Sequence, residues 1–561
     1  MSVEGGETKI PRITLLRNGA IYSRSDPFAT AMVVEGDTVA WIGSEGAASA
    51  HADSVDEVVD LRGALVTPAF VDAHVHATMT GVARSGLDLA GCASSAELLD
   101  RVAAHAAMLP ADAVVIGTGW DETLWTDRAV PTPDELDRAA GGRKAYLSRV
   151  DVHSALVSAT LLAAVPSVRE AAGYEDGGVL ACEAHHLIRE AALGLITPAQ
   201  REAAQRTTLR AAAALGIGAL HECGGPQISG EEDFTALLAL AAAEPAPYVF
   251  GYWGEYTDPV KAIELGAVGA GGDLFIDGAI GSHTACLREA YSDAPEEGRG
   301  ELTPAGHAGA AYLTAEEIGA FVISCVEAGV QPGFHVIGDY GLDLLTGGLG
   351  LAHDVVGEKR LRAVRVRAEH AEMPDADHLK AFARHGVVVS AQPGFDAAWG
   401  GPDGMYARRL GAARAEAMNP FADMADAGIM LAFGSDSPVV PLGPWEAVRA
   451  AAFHHTPSAR MSVRAAFTTH TRGGWRALRP GTSGVPAREE GVVEPGSPAT
   501  YAVWRTGELI VQAPDGTVAA WSTDVRSGTP GLPDLAPGAD LPVCLRTVVG
   551  GRVIHDTPGE W

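Results

Sequence analysis

Lysine is scarce in this chain, with five residues among 561. Lysine and arginine together number 41 against 71 acidic residues, which gives a formal net charge of −30 at pH 7. Proteins that bind nucleic acid neutralise phosphates with clustered basic side chains, and no such cluster occurs here. We therefore expect no nucleic-acid partner, and we attribute the acidity to a well-solvated surface.

Cysteine pairs and long apolar runs are also missing. Six cysteines are scattered without any CxxC spacing: Cys92, Cys182, Cys223, Cys286, Cys325 and Cys544. This spacing predicts reduced thiols and a cytoplasmic protein. No run of apolar residues is long enough to cross a membrane, so no membrane partner is expected. The segment 1–9 has neither the basic nor the apolar part of a secretory signal.

Short strand-like runs separated by Gly, Asn and Asp occupy residues 1–66 and 485–561, and together they predict one small β-sandwich built from both termini. Residues 67–484 alternate apolar strands with alanine-rich helices, with an insertion around 85–200. This alternation predicts an α/β fold, a TIM-like (β/α)₈ barrel. An open doubly wound sheet is the alternative, but no GxGxxG follows a strand.

Polar residues follow most of the predicted barrel strands, where barrel enzymes place their working side chains. His74 and His76 share one face of the first strand, with Cα atoms roughly 6.5–7 Å apart, so both imidazoles can reach one metal ion. The remaining members of the series, in chain order, are Glu222, Asp277, His335, His370, Gln392 and Asp436.

Several motifs resemble the amidohydrolase superfamily: TPAFVDAHVH (67–76), FHVIGD (334–339), RAEHAE (367–372) and FGSDSPV (433–439). Others resemble its family 3 branch of metal-dependent hydrolases, which includes formamide deformylases: GTGWDE (117–122), SRVDVH (148–153), DGAIGSHTA (277–285), SAQPGF (390–395) and EEGVVEPGSPA (489–499). The resemblance spans nearly the whole chain.

The resemblance implies a divalent metal, usually zinc, inside the barrel. The matching ligands are His74 and His76 on the first strand, His335 and His370 on the fifth and sixth, and Asp436 on the eighth. Asp436 and His370 would be the catalytic residues. Imidazole and carboxylate suit Zn²⁺, which lowers the pKa of bound water to about 7. Asp436 would then carry the proton from hydroxide formation to the leaving group.

One position departs from the family pattern. Where many relatives carry a lysine that can be carbamylated to bridge two metals, this chain has Asp273, so a carbamate bridge is not expected. One alternative is a single ion held by His74, His76, His335 and Asp436, with His370 beside the substrate. The other is a metal pair bridged by Glu222, Asp273 or Asp277. We favour the single ion.

The resemblance also suggests residues around a substrate pocket: Trp120, Asp121, Glu122, Arg149, His153, His283, Gln392 and Phe395. Arg149 could bind a substrate carboxylate, although an internal Arg149–Asp151 pair fits the sequence as well. Trp120 and Phe395 could be pocket walls or ordinary core residues.

The function predicted is hydrolysis of a non-peptide C–N bond in an amide, formamide or cyclic amide of a small-molecule substrate. A deaminase or ester hydrolase on the same scaffold is the alternative. A catalytically inactive barrel is disfavoured, because a scaffold has no need of four histidines and an aspartate in this order. A homodimer is common in the superfamily.

Overall fold

The computed structural model describes residues 12–110, 113–126, 129–176, 178–293, 308–482, 490–512, 521–522 and 529–557. The segment 1–9 and the predicted domain boundary at 484/485 lie outside these ranges. The other predicted boundaries stay predictions.

The N-terminal part consists mainly of strands. Its elements are β1 (Ile13–Arg17), β2 (Ala20–Ile21), β3 (Ala31–Glu35), β4 (Thr38–Gly43), α1 (Glu45–Ala48), β5 (Glu57–Asp60) and β6 (Leu65–Pro68). The first strand and helix of the barrel follow, β7 (Phe70–Val75) and α2 (Ala77–Ser85).

An insertion then leaves the barrel and forms its own five-stranded sheet, in the order β12-β11-β10-β9-β8. Its elements are β8 (Leu87–Asp88), α3 (Ser95–Ala106), β9 (Val115–Trp120), α4 (Pro133–Ala139), β10 (Ala145–Arg149), β11 (Ser154–Val157), α5 (Ala159–Ala164), β12 (Leu180–Ala181) and α6 (Cys182–Leu193). Leu98, Trp120, Leu136 and Leu147 form part of a separate apolar core beneath this sheet.

The barrel resumes at α7 (Pro198–Ala214). Its first half continues with β13 (Ile217–Gly224), α8 (Glu231–Ala243), β14 (Tyr248–Trp253), α9 (Val260–Glu264), β15 (Gly269–Ala270), α10 (Ala315–Ala328) and β16 (Gln331–Val336). Helices α7 and α10 begin with capping boxes, in which Thr197 pairs with Gln200 and Thr314 with Glu317. These pairs satisfy backbone N–H groups that the first helical turn leaves free.

The second half contains α11 (Asp339–Val356), α12 (Glu358–Val364), β17 (Arg367–His370), α13 (Ala376–His385), β18 (Val388–Ala391), α14 (Pro393–Trp399), α15 (Met405–Leu410), α16 (Ala412–Glu416), α17 (Phe421–Asp426), β19 (Met430–Phe433), α18 (Pro444–Ala452), α19 (Val463–Thr468) and α20 (Gly474–Ala477). The chain ends with β20 (Tyr501–Arg505), β21 (Leu509–Gln512), β22 (Trp521–Ser522), β23 (Leu532–Pro533), β24 (Val543–Val549) and β25 (Arg552–Asp556).

Eight parallel strands form the barrel, in the order β7-β13-β14-β15-β16-β17-β18-β19. The ring closes through a parallel bridge between Val75 and Ser437, and Asp436 N donates to His74 O at 2.8 Å. The predicted TIM-like barrel is confirmed. Closure joins the first and last strands at the edge where their functional side chains lie.

Strands from both ends of the chain form the predicted β-sandwich, which is also confirmed. One sheet has the order β4-β3-β1-β5, and the other has the order β2-β6-β20-β24-β25. Leu16 and Met32 of the N-terminal strands share an apolar core with Val503 and Leu545 of the C-terminal strands.

The fourth barrel strand is short and weakly apolar. The apolar run Leu274–Ile276 is typical of a strand, but β15 is Gly269–Ala270, and Phe275 makes only an isolated bridge with His335. Among the described residues, no helix is both long and apolar enough to cross a membrane.

Candidate metal centre

Five buried side chains converge at the carboxyl end of the barrel. His74 belongs to β7 and His76 follows it, His370 ends β17, and Asp436 follows β19. Asp273 follows β15 and points to the same place. Each is at most 6% exposed, so their polar atoms meet one another rather than bulk water.

Four of these side chains have the spacing of ligands around one ion. His74 Nε2 lies 3.4 Å from Asp273 Oδ1 and 3.4 Å from Asp436 Oδ1. His76 Nε2 lies 3.1 Å from Asp273 Oδ2 and 3.1 Å from Asp436 Oδ1. Ligand atoms about 2.0–2.2 Å from a tetrahedral zinc ion lie roughly 3.3–3.6 Å from one another. Two of the four distances fall in this range and two are slightly shorter, so the two imidazoles and two carboxylates lie close enough together to share one ion.

Unpartnered atoms in the cluster also indicate a cation. His74 Nε2, His370 Nε2, Asp273 Oδ1 and Asp436 Oδ1 are buried and make no hydrogen bond. A buried polar atom without a partner costs free energy, so such atoms are rare unless an ion or water completes them. Two carboxylates facing imidazole nitrogens are the donor set that Zn²⁺ and similar divalent ions take.

The second ring nitrogen of each histidine fixes its tautomer. His76 Nδ1 lies 2.9 Å from the carbonyl oxygen of Cys223, and His370 Nδ1 lies 2.8 Å from Gln392 Oε1. Both oxygens only accept hydrogen bonds, because Gln392 Nε2 donates to Ser390 O. In the neutral ring each Nδ1 is thus the protonated nitrogen, and each Nε2 presents its lone pair to the centre of the site.

Glu369 orients His74 in the same way, with Oε2 2.9 Å from His74 Nδ1. Arg367 holds this carboxylate by two hydrogen bonds of 2.8 and 3.0 Å. Burial raises the pKa of Glu369, but the charge of Arg367 and the His74 ring outweigh it and hold that pKa well below its usual range. Glu369 therefore stays ionised and keeps the imidazole in place.

The carboxylates raise the proton affinity of the histidines. Burial lowers the pKa of His76, but hydrogen bonds to Asp273 and Asp436 outweigh it and raise that pKa to about 9. The pKa of Asp273 lies well below its usual range, because His74, His370 and His76 outweigh its desolvation. The cluster thus attracts positive charge, whether protons or a metal ion.

His335 lies beside this group rather than within it. Its ring centroid is 4.5 Å from that of His370, and its Nδ1 is 3.7 Å from Asp277 Oδ1. The four-ligand set predicted from the sequence contains His335 and not Asp273. In the structure Asp273 faces both His74 and His76, and the role of His335 as a ligand stays a prediction.

Glu222 and Asp277, the other proposed bridging carboxylates, have different partners. Glu222 Oε2 accepts a hydrogen bond of 2.7 Å from the Ala77 backbone at the start of α2, and burial raises the pKa of Glu222 to about 7. Asp277 accepts three backbone hydrogen bonds, from Cys286, Ile337 and Gly338. Neither carboxylate reaches the metal cluster.

Two cavities flank the cluster, and His153, His335 and Asp436 line both. The first, about 480 Å³ including the space open to solvent, is also lined by Tyr146 and Arg189. The second, about 310 Å³ on the same measure, has largely apolar walls. The cluster therefore lies between two openings.

Three predicted pocket residues lie at the cavities or support them. His153 lines both spaces. Phe395 lines the second and stacks on His370, with ring centroids 5.9 Å apart. Gln392 orients His370 through the hydrogen bond already described.

Other predicted pocket residues are used internally. Trp120 is fully buried in the insertion core, where its indole N–H donates to Leu147 O at 2.8 Å. His283 pairs with Asp293 at 2.9 Å and packs on Tyr291. The indole and this imidazole therefore have protein partners of their own, and neither residue lines either cavity.

Arg149 joins the predicted pocket acids in one buried network. It binds Asp121 at 2.9 Å, Glu122 at 2.8 Å and Asp151 at 2.7 Å. Arg409 adds a second bond to Glu122 at 2.6 Å. Because three carboxylates surround Arg149, it is not available to a substrate, and the alternative of an internal ion pair describes it better.

Asp273, Glu369 and Arg189 were the residues that sequence reasoning missed or undervalued. Asp273 was weighed only as a bridge between two metals, although its place in the lysine position of the family pattern was a signal. Glu369 precedes His370 in RAEHAE, and this adjacency was a second signal. Nothing in the sequence around Arg189 marks it.

Comparisons with known proteins find relatives over most of the chain. Residues 57–555 match the sequence model of the amidohydrolase family. Protein LONG AFTER FAR-RED 3 of Arabidopsis thaliana is 25% identical, over 78% of this chain and 77% of its own length. N-substituted formamide deformylase of Arthrobacter pascens is 23% identical, over 85% of this chain and 90% of its own.

Among solved structures, an uncharacterized metal-dependent hydrolase from Pyrococcus furiosus has a similar fold, with a TM-score of 0.66 and 24% identity. It aligns with 88% of this chain and 98% of its own. Because the family match covers most of the sequence, the chain belongs to the amidohydrolase family.

Proposed function

We propose that this protein hydrolyses a non-peptide C–N bond, in an amide, formamide or cyclic amide, with one zinc ion held by His74, His76, Asp273 and Asp436. The observation that carries the proposal is the 3.1–3.4 Å spacing of these four side chains between two cavities. The similarity to a formamide deformylase supports the choice of bond.

A divalent ion bound at these side chains would lower the pKa of a water molecule to near neutrality and polarise a carbonyl oxygen. The protein's own groups supply the rest. Asp436 lines both cavities, so its carboxylate is close to any substrate spanning them. It takes the proton from the attacking water and delivers it to the leaving nitrogen.

His370 completes the catalytic pair. With its proton held on Nδ1 by Gln392, its buried Nε2 can only accept a hydrogen bond. It therefore positions the attacking water or a substrate N–H group. Phe395 stacks on the other face of the ring and keeps it in that orientation.

A substrate screen tests this function. Purified protein loaded with zinc is incubated with N-formyl amines, N-acyl amines and cyclic ureides, and the released amine and ammonia are measured separately. We expect amine or ring-opened product, and a loss of roughly 10²–10⁴-fold in kcat for Asp436→Asn. Ammonia alone would identify a deaminase, and undiminished turnover in metal-free protein would refute the proposal.

A further inference from the structure

Four arginines among the described residues are buried, and three of them have acidic partners. Arg149 binds Asp121, Glu122 and Asp151; Arg367 binds Glu369; Arg409 binds Glu122 and Asp293. Arg189, which is 9% exposed, has no carboxylate within 4.0 Å in the described part of the chain. A buried charge without a partner is costly, so this exception calls for an explanation.

Arg189 is held in place by backbone groups alone. Its Nε donates to Gln227 O at 2.8 Å, and its Nη1 donates to Val152 O at 3.3 Å. Two carbonyl groups use only part of a five-donor guanidinium. The side chain is thus fixed while donors remain for another group.

The guanidinium lines the same cavity as His76, Asp273 and Asp436. Those two carboxylates face the histidine nitrogens, and a bound divalent ion would neutralise them. No other described acid lines this cavity. Its wall therefore carries one uncompensated positive charge.

The neighbouring histidines on α6 do not change that balance. Burial and the charge of Arg189 lower the pKa of His186 to about 3, and the same causes hold the pKa of His185 well below its ordinary value. The Tyr146 hydroxyl forms a hydrogen bond of 2.9 Å with His185 Nε2. Of Arg189, His185 and His186, only Arg189 is therefore charged at neutral pH.

The second cavity is lined mainly by apolar side chains. Its walls include Ile280, Ile337, Phe395 and Trp399, and it meets the first cavity at His153, His335 and Asp436. A molecule lying across the metal centre would place one end against apolar side chains and the other against the guanidinium.

From this arrangement we infer that Arg189 is the specificity-determining residue of the site, and that the substrate is an amide with an apolar or aromatic group on one side of the scissile bond and a carboxylate on the other. Arginine binds carboxylates through two parallel N–H donors, which fixes orientation as well as charge. This inference rests on the proposed function, because it takes the metal centre as the point of cleavage.

Binding of matched acid and amide pairs tests the inference. Isothermal titration calorimetry on zinc-loaded protein would compare N-benzoylglycine with N-benzoylglycinamide, and N-phenylsuccinamic acid with its terminal carboxamide. The two acids carry the carboxylate on the amine side and on the acyl side of the amide bond. We expect at least one acid to bind ten-fold or more tightly than its carboxamide.

Variants assign that preference to one side chain. Arg189→Met should abolish it, and Arg189→Lys should keep part of it and serves as the second variant if the methionine form folds poorly. Arg210→Met, an exposed arginine on α7, is the matched control and should behave as wild type. Equal affinity for acid and carboxamide in both wild-type pairs, or a preference that survives in Arg189→Met, would overturn the inference.

The same experiment separates this inference from the proposed function. Hydrolysis of neutral amides without any acid preference would leave the hydrolase standing and remove the role of Arg189. If the protein prefers the acids but cleaves none of the amides, the role of Arg189 stands and the proposed hydrolysis falls.

Discussion

Among single residues, Asp273 has the largest influence on this site. Its two oxygens face His74 and His76 at 3.4 and 3.1 Å, where many relatives have a lysine. An aspartate brings a permanent negative charge without carbamylation. With Asp436 it balances the two charges of a divalent ion, so a single ion needs no further carboxylate.

Replacing Asp273 by Asn should therefore empty the site. The amide keeps the shape but loses the charge, and we expect less than roughly a tenth of an equivalent of zinc per chain, with activity lost in parallel. Elemental analysis of the purified variants measures this. Glu222→Gln is the matched control, because Glu222 is a buried acid that hydrogen-bonds the Ala77 backbone and lies outside the proposed ligand set, and this variant should retain its metal. A full equivalent of zinc in Asp273→Asn would exclude Asp273 as a ligand.

Glu490 is a buried carboxylate, and within the described part of the chain neither of its oxygens meets the distance and angle of an ordinary hydrogen bond. Burial raises its pKa to about 7, against about 4.3 in an unfolded chain. Between these values the folded protein holds more protons than the unfolded one, so stability falls as pH rises. Glu490→Gln should raise the melting temperature at pH 8 and leave it unchanged near pH 4.5, as measured by scanning fluorimetry. A gain of equal size at both pH values would show that the effect is not ionisation.

At the scale of elements, an ion network fastens the insertion to the barrel. Arg149 ends β10, Glu122 follows β9, and Arg409 belongs to α15 of the barrel. Arg409 also donates to Gly281 O and pairs with Asp293. These contacts hold the insertion over the second cavity, whose wall includes Asp151 and Gly281.

Removing the centre of this network should destabilise the fold. Arg149→Met leaves Asp121, Asp151 and Glu122 with one fewer cation, and breaking such a buried pair costs about 3–5 kcal/mol. Thermal unfolding would show a clear fall in melting temperature, whereas Arg138→Met, an exposed arginine of α4, should change it little. A melting temperature within a degree of wild type for Arg149→Met would contradict the role of the network.

Sequence patterns predicted the barrel and the histidine motifs because both are local. His74, His76, His370 and Asp436 come directly at or after strands, where the parallel sheet dictates their side. The direction of Asp273 was not readable. It depends on Gly271 and Gly272, whose φ angles of 132° and 84° turn the chain after β15.

The short strand β15 escaped prediction for a related reason. Gly269 and Ala270 have no β-branched or aromatic side chain, so nothing in their sequence favours a strand. Gly269 and Ala270 form a strand because their backbones pair with β14 at Tyr252 on one side and with β16 at Gln331 on the other. A side chain on Gly271 would also meet Gly333 O at 2.0 Å, a close approach that appears only once the barrel is assembled.

At the scale of the whole molecule, metal binding, protonation and folding are coupled. The proposed centre draws its ligands from β7, the segment after β15 and the segment after β19, which are distant in sequence and adjacent only in the closed barrel. An ion that binds the folded chain alone stabilises it, by about 4 kcal/mol at a thousand times its Kd.

Chelation should accordingly lower the melting temperature, and added zinc should restore it. The affinity should also rise with pH up to about 9, because the pKa of His76 is raised to about 9 and its proton must leave before the metal binds. Competition with a chromophoric chelator at pH 6, 7, 8 and 9 measures the trend. An affinity that does not change over this range would contradict the proton displacement.

The most direct measurement is anomalous X-ray scattering at the zinc edge from crystals of the zinc-loaded protein. We expect one peak per chain, within about 2.2 Å of His74 Nε2, His76 Nε2 and a carboxylate oxygen of both Asp273 and Asp436. A peak bound by His335 and His370 without Asp273, or no peak at the end of the barrel, would contradict the metal centre on which the proposed hydrolysis depends.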